Sequence, residues 1–306
     1  MENITFREFS EKFLAAYDAQ PATVQRAAHQ MKIINARFGS MKLDKIRPEH
    51  VAEWRKTVSE GQRHQVHGLL RQVLKAAVTW GYAIRNPAGV IENTKAPKKE
   101  VLFFDAWHEI IAISDELPEP QRVIPIFAAG TGLRPEEWCA LTWADITEEH
   151  VSVNKSWTEL GGLKPYGKTE GSKRRVPLRK FVRDALAPLE RTNGLVFQSN
   201  QGHHIRIRNW RKREWTRALE AANVSFRKPY AMRHSYASWC LAAGLTTFTL
   251  ARRMGTSVQQ IDNTYGHLLS DSIERETALL DDFDTSALPF FSLSDEHEEP
   301  DEHLNP

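Results

Sequence analysis

Four short segments of this 306-residue chain hold side chains that can bind an anion or transfer a proton. Their central residues are Arg134, Lys168, Arg233 and Tyr265. Arginine binds carboxylates and phosphates through paired hydrogen bonds, and a lysine of lowered pKa can protonate a leaving oxygen. Taken one at a time, the segments are more typical of a surface ion pair, an exposed basic hairpin, a core arginine and an apolar helix face.

The first segment is Gly130-Thr-Gly-Leu-Arg134-Pro-Glu-Glu137. Its glycines are expected to leave the Arg134 guanidinium exposed beside backbone N–H donors at a helix start, an arrangement that suits an anion. Glu137 lies one helical turn further along and is expected to hold Arg134 in place. In the second segment, the glycine and serine that follow Lys168 predict a turn, which places this lysine on a hairpin between two strands.

The third and fourth segments have helical patterns. Arg233 lies in an otherwise apolar helix, so we expect it to be buried against an anionic partner, either a carboxylate or a phosphate. His234 follows it directly, and a histidine in this position is more often a hydrogen-bonded core residue than a catalyst. Ser257 is a predicted helix N-cap. Tyr265 then falls on the apolar face of the helix that starts there, two residues before His267.

The elements that must position these side chains are mostly helices. Apolar residues recur at helical spacing through four segments in the first third of the chain. These segments cover residues 6–17 and 24–38, a third that starts at Pro48 and is expected to end at Gly61, and a fourth from about 62 to 82. We predict a four-helix domain over residues 1–90 and a polar, lysine-containing linker over residues 91–101.

Residues 102–285 are expected to form a second domain that is mainly α with a small antiparallel sheet, and residues 286–306 a flexible acidic tail. Helices are predicted near residues 105–114, 120–130, 135–141, 206–222, 230–243, 246–254 and 257–267. Strands are predicted at residues 150–157, 174–178 and 195–198. The predicted fold class is therefore mainly α, with a helical N-terminal domain and a mixed α/β second domain.

Composition and charge exclude some classes of protein and point to a polyanionic partner. Hydrophobic residues make up 41% and charged residues 26% of the chain, as in an ordinary globular protein. No stretch reaches the ~18 consecutive apolar residues of a membrane span. The net charge is +7 over residues 1–100, +1 over residues 101–285 and −6 over residues 286–306. Because there are only two, widely separated cysteines and no signal sequence, we expect a cytoplasmic protein with reduced thiols.

Together, the order and spacing of the four segments resemble the catalytic domain of the tyrosine recombinases, the phage and prophage integrase family. The matching residues in its two arginine boxes and its lysine hairpin are Arg134 with Glu137, Lys168, and Arg233 with His234. Tyr265 follows Gly255 by ten positions, as the family's nucleophile follows a Gly-His box, and the usual Tyr-x-His ending is completed by His267. The resemblance spans roughly residues 105–270, and the N-terminal helices resemble the family's core-binding domain.

The resemblance implies DNA strand transfer. Tyr265 would attack a phosphodiester to leave a 3′-phosphotyrosyl bond and a free 5′-hydroxyl, with no ATP, metal or cofactor. Arg134 and Arg233 would bind the phosphate, and Lys168 would protonate the leaving oxygen. The supporting residues in this scheme are Glu137, Tyr230, His234, Thr256 and His267.

Two positions depart from the family pattern. Tyr230 stands where the second arginine box starts with histidine, and Thr256 stands where the family has histidine or tryptophan. Both can donate hydrogen bonds, but neither titrates near neutral pH. We expect activity that is slower or more dependent on accessory proteins. A DNA-binding protein with impaired cleavage is the alternative, and a relaxing topoisomerase of related mechanism is a second enzymatic reading.

Further DNA contact is expected from basic residues outside the four segments. The predicted DNA-binding residues are Lys173, Arg174, Arg206, Arg208, Arg211, Lys212 and Arg213. Trp210 and Trp215 interrupt this basic stretch and are expected to pack inward. The expected partners are double-stranded DNA carrying an attachment site, three further copies in a homo-tetramer, and a DNA-bending or excision factor, with no membrane. Residues 270–293 are expected to dock on a neighbouring copy or to fold back on their own domain.

Overall fold

The computed structural model describes residues 4–94, 100–165 and 173–266, and these are mostly helical. The helices are α1 (Phe6–Ala15), α2 (Pro21–Phe38), α3 (Pro48–Thr57), α4 (Glu60–Thr79), α5 (Trp107–Asp115), α6 (Ile124–Thr131), α7 (Pro135–Trp138), α8 (Lys180–Leu186), α9 (Ile207–Trp210), α10 (Thr216–Ala221), α11 (Ala231–Ala242), α12 (Thr247–Met254) and α13 (Val258–Tyr265). The strands are β1 (His150–Val153), β2 (Lys155–Thr158), β3 (Gly162–Pro165) and β4 (Arg174–Pro177). The predicted fold class is confirmed.

The first four helices share one hydrophobic core. A reciprocal cap fixes the start of α1, because the Thr5 hydroxyl accepts the Glu8 N–H while the Glu8 carboxylate accepts the Thr5 N–H. The fully buried side chains of this core include Phe6, Phe9, Met31, Ile34, Phe38, Leu70 and Leu74. The four predicted helices are confirmed, but α3 does not end at Gly61. It ends at Thr57, because Ser59 starts α4 and Gly61 lies within the first turn of α4.

The strands form two antiparallel pairs rather than one sheet. β1 pairs with β4, and β2 pairs with β3. The predicted strand over 150–157 is therefore divided at Asn154. The prediction of a strand over residues 195–198 is wrong, since Leu195 makes only an isolated bridge to Thr142. A short apolar run indicates burial and does not by itself distinguish a strand from a buried loop.

The basic stretch forms a continuous helical segment, as predicted, with one irregularity. A π-helical turn over Arg211–Trp215 joins α9 to α10. Five residues of regular α-helix would turn Trp215 well away from Trp210, whereas a π turn keeps them on one side. Both indoles are buried and their rings lie 5.4 Å apart, so the predicted inward packing of the tryptophans is confirmed.

Three helices and two glycine turns bring the candidate catalytic residues together. α11, α12 and α13 share a small core that includes Tyr236, Leu250, Met254, Ile261 and Tyr265. α6 and α12 both end on a left-handed glycine, Gly132 with φ +66° and Gly255 with φ +61°. At the first of these, a Cβ would lie 2.3 Å from the Tyr236 ring, so only glycine fits. The chain then leaves each helix with its last carbonyls directed at the candidate site.

Candidate active site

The two predicted arginines, which we call the arginine clamp (Arg134 and Arg233), meet at the C-termini of α6 and α12. The Gly132 carbonyl accepts a hydrogen bond from Arg233 Nη1 at 2.7 Å, and the Gly255 carbonyl accepts one from Arg134 Nη2 at 2.9 Å. The Met254 carbonyl accepts from both, 2.8 Å from Arg233 Nη2 and 3.3 Å from Arg134 Nη1. Helix C-termini carry partial negative charge and therefore stabilise cations at this position.

Glu137 holds Arg134, as predicted. Its Oε1 lies 3.0 Å from Arg134 Nη1, and its Oε2 accepts the Arg134 backbone N–H at 2.7 Å. The expectation that this guanidinium would be exposed beside N–H donors is wrong. The side chain is only 29% exposed. It folds back over the C-terminal end of α12, where the Met254 and Gly255 carbonyls accept its hydrogen bonds, and it also binds the Glu137 carboxylate.

Glu137 also binds a third arginine, Arg174. The two guanidinium nitrogens of Arg174 lie 2.9 and 2.8 Å from the two carboxylate oxygens, and its Nε donates to the Arg253 carbonyl at 2.7 Å. The side chain is 5% exposed, which contradicts the predicted DNA contact. Alternation along β4 explains this position, because Arg174 shares its inner face with buried Val176, whereas Arg175 faces outward. That period-two signal was present in the sequence.

Arg233 is buried, as predicted, but its hydrogen bonds go to carbonyl oxygens rather than to a carboxylate. Burial, and then the charge of Arg134, lowers the pKa of Arg233, yet a guanidinium stays protonated at neutral pH. Three guanidiniums thus surround the single carboxylate of Glu137. The centre carries surplus positive charge that an anion can neutralise.

The lowered pKa of Glu137 predicts how the free energy of unfolding changes at acidic pH. Burial alone would raise the pKa of Glu137, but the hydrogen bonds and charge of Arg174, with the charge of Arg134, hold it at about 2 instead of 4.5. Because the folded pKa lies below the unfolded one, this carboxylate contributes stability above pH 4.5 that is lost as the pH falls towards 2. We expect the free energy of unfolding in urea to fall by about 3 kcal/mol over that interval. Glu137→Gln is the reference, and a parallel pH profile in that variant would contradict the assignment.

Tyr265 contacts His234. Its hydroxyl oxygen lies 2.7 Å from His234 Nδ1, and only 4% of the tyrosine is exposed. Burial raises the pKa of Tyr265, with the charge of Arg233 opposing it. Burial, and then the charge of Arg233, lowers the pKa of His234 to about 4, so its ring is neutral at pH 7. The sequence marked this histidine as a supporting residue but gave no sign of its partner.

The two residues that depart from the family pattern lie beside this pair and beside the arginine clamp. Tyr230 is 39% exposed, and its ring centre lies 5.0 Å from that of His234. Thr256 is half-buried in the turn between α12 and α13, where its N–H donates to the Ala251 carbonyl. The predicted acid, Lys168, and the predicted supporting residue His267 lie outside the described residues.

The basic helical segment presents most of its cations to solvent. Arg206, Arg208, Lys212 and Arg213 are exposed, and Arg211 is half-buried. Lys173, which lies outside this segment just before β4, is also exposed. Arg206 lies 3.6 Å from Glu159, which partly offsets its charge. An open cleft of about 1000 Å³ adjoins this segment and contains neither the arginine clamp nor Tyr265. The candidate catalytic residues and the basic surface therefore lie in different parts of the molecule.

Neither a metal-binding cluster nor a membrane-spanning helix occurs among the described residues. Across residues 4–94, 100–165 and 173–266, no three His, Cys, Asp or Glu side chains lie close enough together to hold a metal ion. Within the same ranges, no helix has the length and apolar character needed to cross a bilayer.

Comparisons with known proteins identify the family of this chain. Residues 100–271, more than half of the chain, match the phage integrase family, and residues 5–59 match the N-terminal SAM-like domain of phage integrases. The chain is 25% identical to the "putative defective protein IntQ" of Escherichia coli K12, over 91% of this chain and 83% of the relative. It is 26% identical to a XerC-like tyrosine recombinase of Caldanaerobacter subterraneus, over 82% of this chain and 75% of the relative.

Solved structures of integrases share the fold. The Tn1549 transposon integrase in complex with circular intermediate DNA aligns with a TM-score of 0.74 and 18% identity, over 90% of this chain and 99% of the other. A lambda integrase tetramer bound to a Holliday junction aligns with a TM-score of 0.68 and 16% identity, over 83% of this chain and 78% of the other. From the match over residues 100–271, we conclude that the chain belongs to the phage integrase family of tyrosine-type site-specific recombinases.

Proposed function

We propose that this protein cuts and rejoins double-stranded DNA through a covalent bond to Tyr265, and that it integrates or excises a phage or other mobile element. One observation carries the proposal. The Met254 carbonyl binds both arginines of the clamp, and the same stretch of chain continues into the helix that ends at Tyr265. The two groups that would bind the phosphate thus share a contact at residue 254, and the proposed nucleophile follows eleven positions later in the chain.

The charge of the site suits a phosphodiester. A bound phosphate would neutralise part of the surplus positive charge around Glu137, and the clamp would stabilise the extra negative charge that develops at phosphorus. The Tyr265 oxygen would form a bond to phosphorus as the bond to the 5′-oxygen breaks, which leaves a 3′-phosphotyrosine and a 5′-hydroxyl. Lys168 would supply the proton of that hydroxyl. Because one phosphoester replaces another, the reaction needs no energy source.

Removal of the proton from Tyr265 costs free energy in this scheme. Ionising a phenol of ordinary pKa at pH 7 costs about 4 kcal/mol. Burial increases that cost in the free protein, because it raises the pKa of Tyr265 further. The free protein therefore disfavours the Tyr265 phenolate. Tyr230 and Thr256 would act as hydrogen-bond donors to the phosphate in this proposal.

The proposed domains are a core-binding domain over residues 1–90, a linker over 91–101 and a catalytic domain over 102–285. The hydrophobic cores of the described residues support the division, since one contains only residues up to Ile91, whereas the other two contain only residues from Val101 onward. We further propose a homo-tetramer on two DNA sites, helped by a DNA-bending or excision factor. A tetramer on a Holliday junction is the assembly described for lambda integrase. The segment 270–293, proposed to dock between copies, and the tail 286–306 lie outside the described residues.

A DNA-binding protein with impaired cleavage is the second candidate. The replacement of two family histidines by Tyr230 and Thr256 favours it, and one relative is named as defective. A covalent adduct separates the two candidates. The protein would be incubated with a nicked duplex that carries the junction sequence found beside its own gene. We expect an adduct that survives SDS, whereas tight binding without an adduct would support the second candidate.

The exposed cations of the basic helical segment predict how affinity depends on salt. The double variant Arg208→Ala/Lys212→Ala removes two exposed charges four residues apart on one face. If both contact phosphates, the slope of log affinity against log salt should become shallower by about 2 in a fluorescence-anisotropy titration. Lys180→Ala/Arg183→Ala is the matched control, because Asp184 and the Glu148 carbonyl already bind those two side chains. Equal slopes in both variants would contradict a DNA-facing role for this segment.

A further inference from the structure

The proposed reaction must remove the proton from the Tyr265 hydroxyl, and this hydroxyl is hydrogen-bonded to the imidazole of His234. The two atoms are 2.7 Å apart, and the ring centres are 5.8 Å apart. His234 lies on α11 immediately after Arg233, whose two hydrogen bonds to carbonyls fix that part of the helix. The imidazole is thus held by an element that is itself anchored to the arginine clamp.

We propose that His234 is a catalytic residue that accepts the Tyr265 proton during cleavage and returns it during ligation. This inference rests on the proposed function. We assign the tautomer with its proton on Nε2, so that Nδ1 accepts the hydroxyl hydrogen. As the bond from the tyrosine oxygen to phosphorus forms, the proton passes to Nδ1 and gives an imidazolium. When the 5′-hydroxyl of the incoming strand attacks phosphorus, its proton returns to the neutral Lys168 amine that supplied it, and the imidazolium returns the other proton to the departing tyrosine oxygen.

The two positions that depart from the family pattern offer no proton acceptor, so another group must take the Tyr265 proton. Tyr230 and Thr256 both carry hydroxyls, which are poor bases at neutral pH. The Tyr230 ring centre lies 5.0 Å from that of His234, and the two rings are tilted by 59° to each other. Among the described residues at this site, His234 is the group that both touches the reacting oxygen and can accept a proton.

The electrostatic surroundings make this base conditional on bound DNA. The charged group that faces His234 is Arg233, and the two other titratable groups beside it are Tyr230 and Tyr265. Arg233 disfavours the imidazolium in the free protein, so the proton stays on the tyrosine. A phosphate bound by Arg233 offsets that charge. The phenol also becomes far more acidic as its oxygen bonds to phosphorus, so the proton moves only in the transition state.

His234→Asn tests the proposal. Asparagine keeps a hydrogen-bonding group near the position of Nδ1 but cannot take the proton at neutral pH. We expect adduct formation on the nicked duplex to slow by about 100- to 1,000-fold, with DNA affinity within about twofold of wild type, since base and phosphate contacts elsewhere are unchanged. A rate within threefold of wild type, about half a unit in log rate, would show that the hydrogen bond alone matters and would overturn the proposal. His234→Gln is a second variant if His234→Asn melts at a lower temperature.

A modified substrate separates the nucleophile's proton from that of the leaving group. Sulfur in place of the bridging 5′-oxygen leaves as a thiolate and needs no acid. This duplex should restore cleavage to Lys168→Ala and leave His234→Asn slow. Restoration of His234→Asn would assign the histidine to the leaving group and overturn the proposal. Failure of the wild-type protein to form an adduct would instead remove the proposed function, and this inference with it.

Discussion

Tyr265→Phe is expected to bind its DNA site with unchanged affinity and to form no covalent adduct at all. The substitution removes one oxygen from a buried side chain whose ring packs with α11 and α12. That oxygen is hydrogen-bonded to His234 Nδ1 at 2.7 Å. A hydrogen bond of this kind contributes about 1 kcal/mol to stability. The fold should therefore survive while the nucleophile is lost. The measurement is a denaturing gel of protein and nicked duplex, beside a binding titration on the same DNA.

Tyr236→Phe is the matched control for that experiment. Tyr236 is a second buried tyrosine of the same small core, but it stands on the side of α11 that packs against Gly132. Its variant should form the adduct at a rate within about twofold of wild type, because the hydroxyl that it loses contacts Cys240 and Arg253 rather than the proposed reacting groups. An adduct in Tyr265→Phe would mean that another side chain is the nucleophile. Loss of the adduct in both variants would point to core damage instead.

Arg233→Lys is expected to slow adduct formation by about 100- to 1,000-fold, the loss that follows removal of one preorganised donor. The guanidinium spans two carbonyls on different segments, Gly132 and Met254, and a lysine ammonium cannot hold both and still point a donor at phosphate. Single-turnover cleavage at saturating protein measures this step directly. The Kd for DNA should change much less than the rate, because most phosphate contacts lie elsewhere.

The control for this change is Arg252→Lys. Arg252 is in the last turn of α12, two residues before Met254, but it is exposed and its guanidinium lies over the Phe248 ring. The same replacement there should leave the cleavage rate within about twofold of wild type, as is usual for surface substitutions. If Arg233→Lys cleaves DNA as fast as the wild-type protein, then a positive charge alone is sufficient at this position. The pairing of the guanidinium with two carbonyls would then have no catalytic role.

Periodicity made the helices predictable and the strands less so. The apolar spacing of α2 or α13 recurs over two or more turns, whereas β3, with its sequence Gly-Leu-Lys-Pro, offers too short a pattern to distinguish it from a turn. Glycine was informative only where a neighbour crowds it. Gly132 ends a helix against the Tyr236 ring, while Gly61 has open space around it and sits inside α4 without ending α3.

The candidate site was predictable in its side chains and not in its backbone. Arg134, Glu137, Arg233 and Tyr265 carry chemistry that the sequence displays. Every residue has a carbonyl, however, so nothing in the sequence singles out those of helix ends as the partners of the clamp. Only the packing of α6 against α11 and of α12 against β4 decides which oxygens approach the guanidiniums. The contact between His234 and Tyr265 joins two helices and was hidden for the same reason.

A single backbone oxygen, that of Met254, supports both guanidiniums of the clamp. The turn at Gly255 then links it to α13, the helix that ends at Tyr265. In the proposed mechanism, a displacement of α13 would therefore disturb the nucleophile and one shared support of both phosphate-binding arginines together.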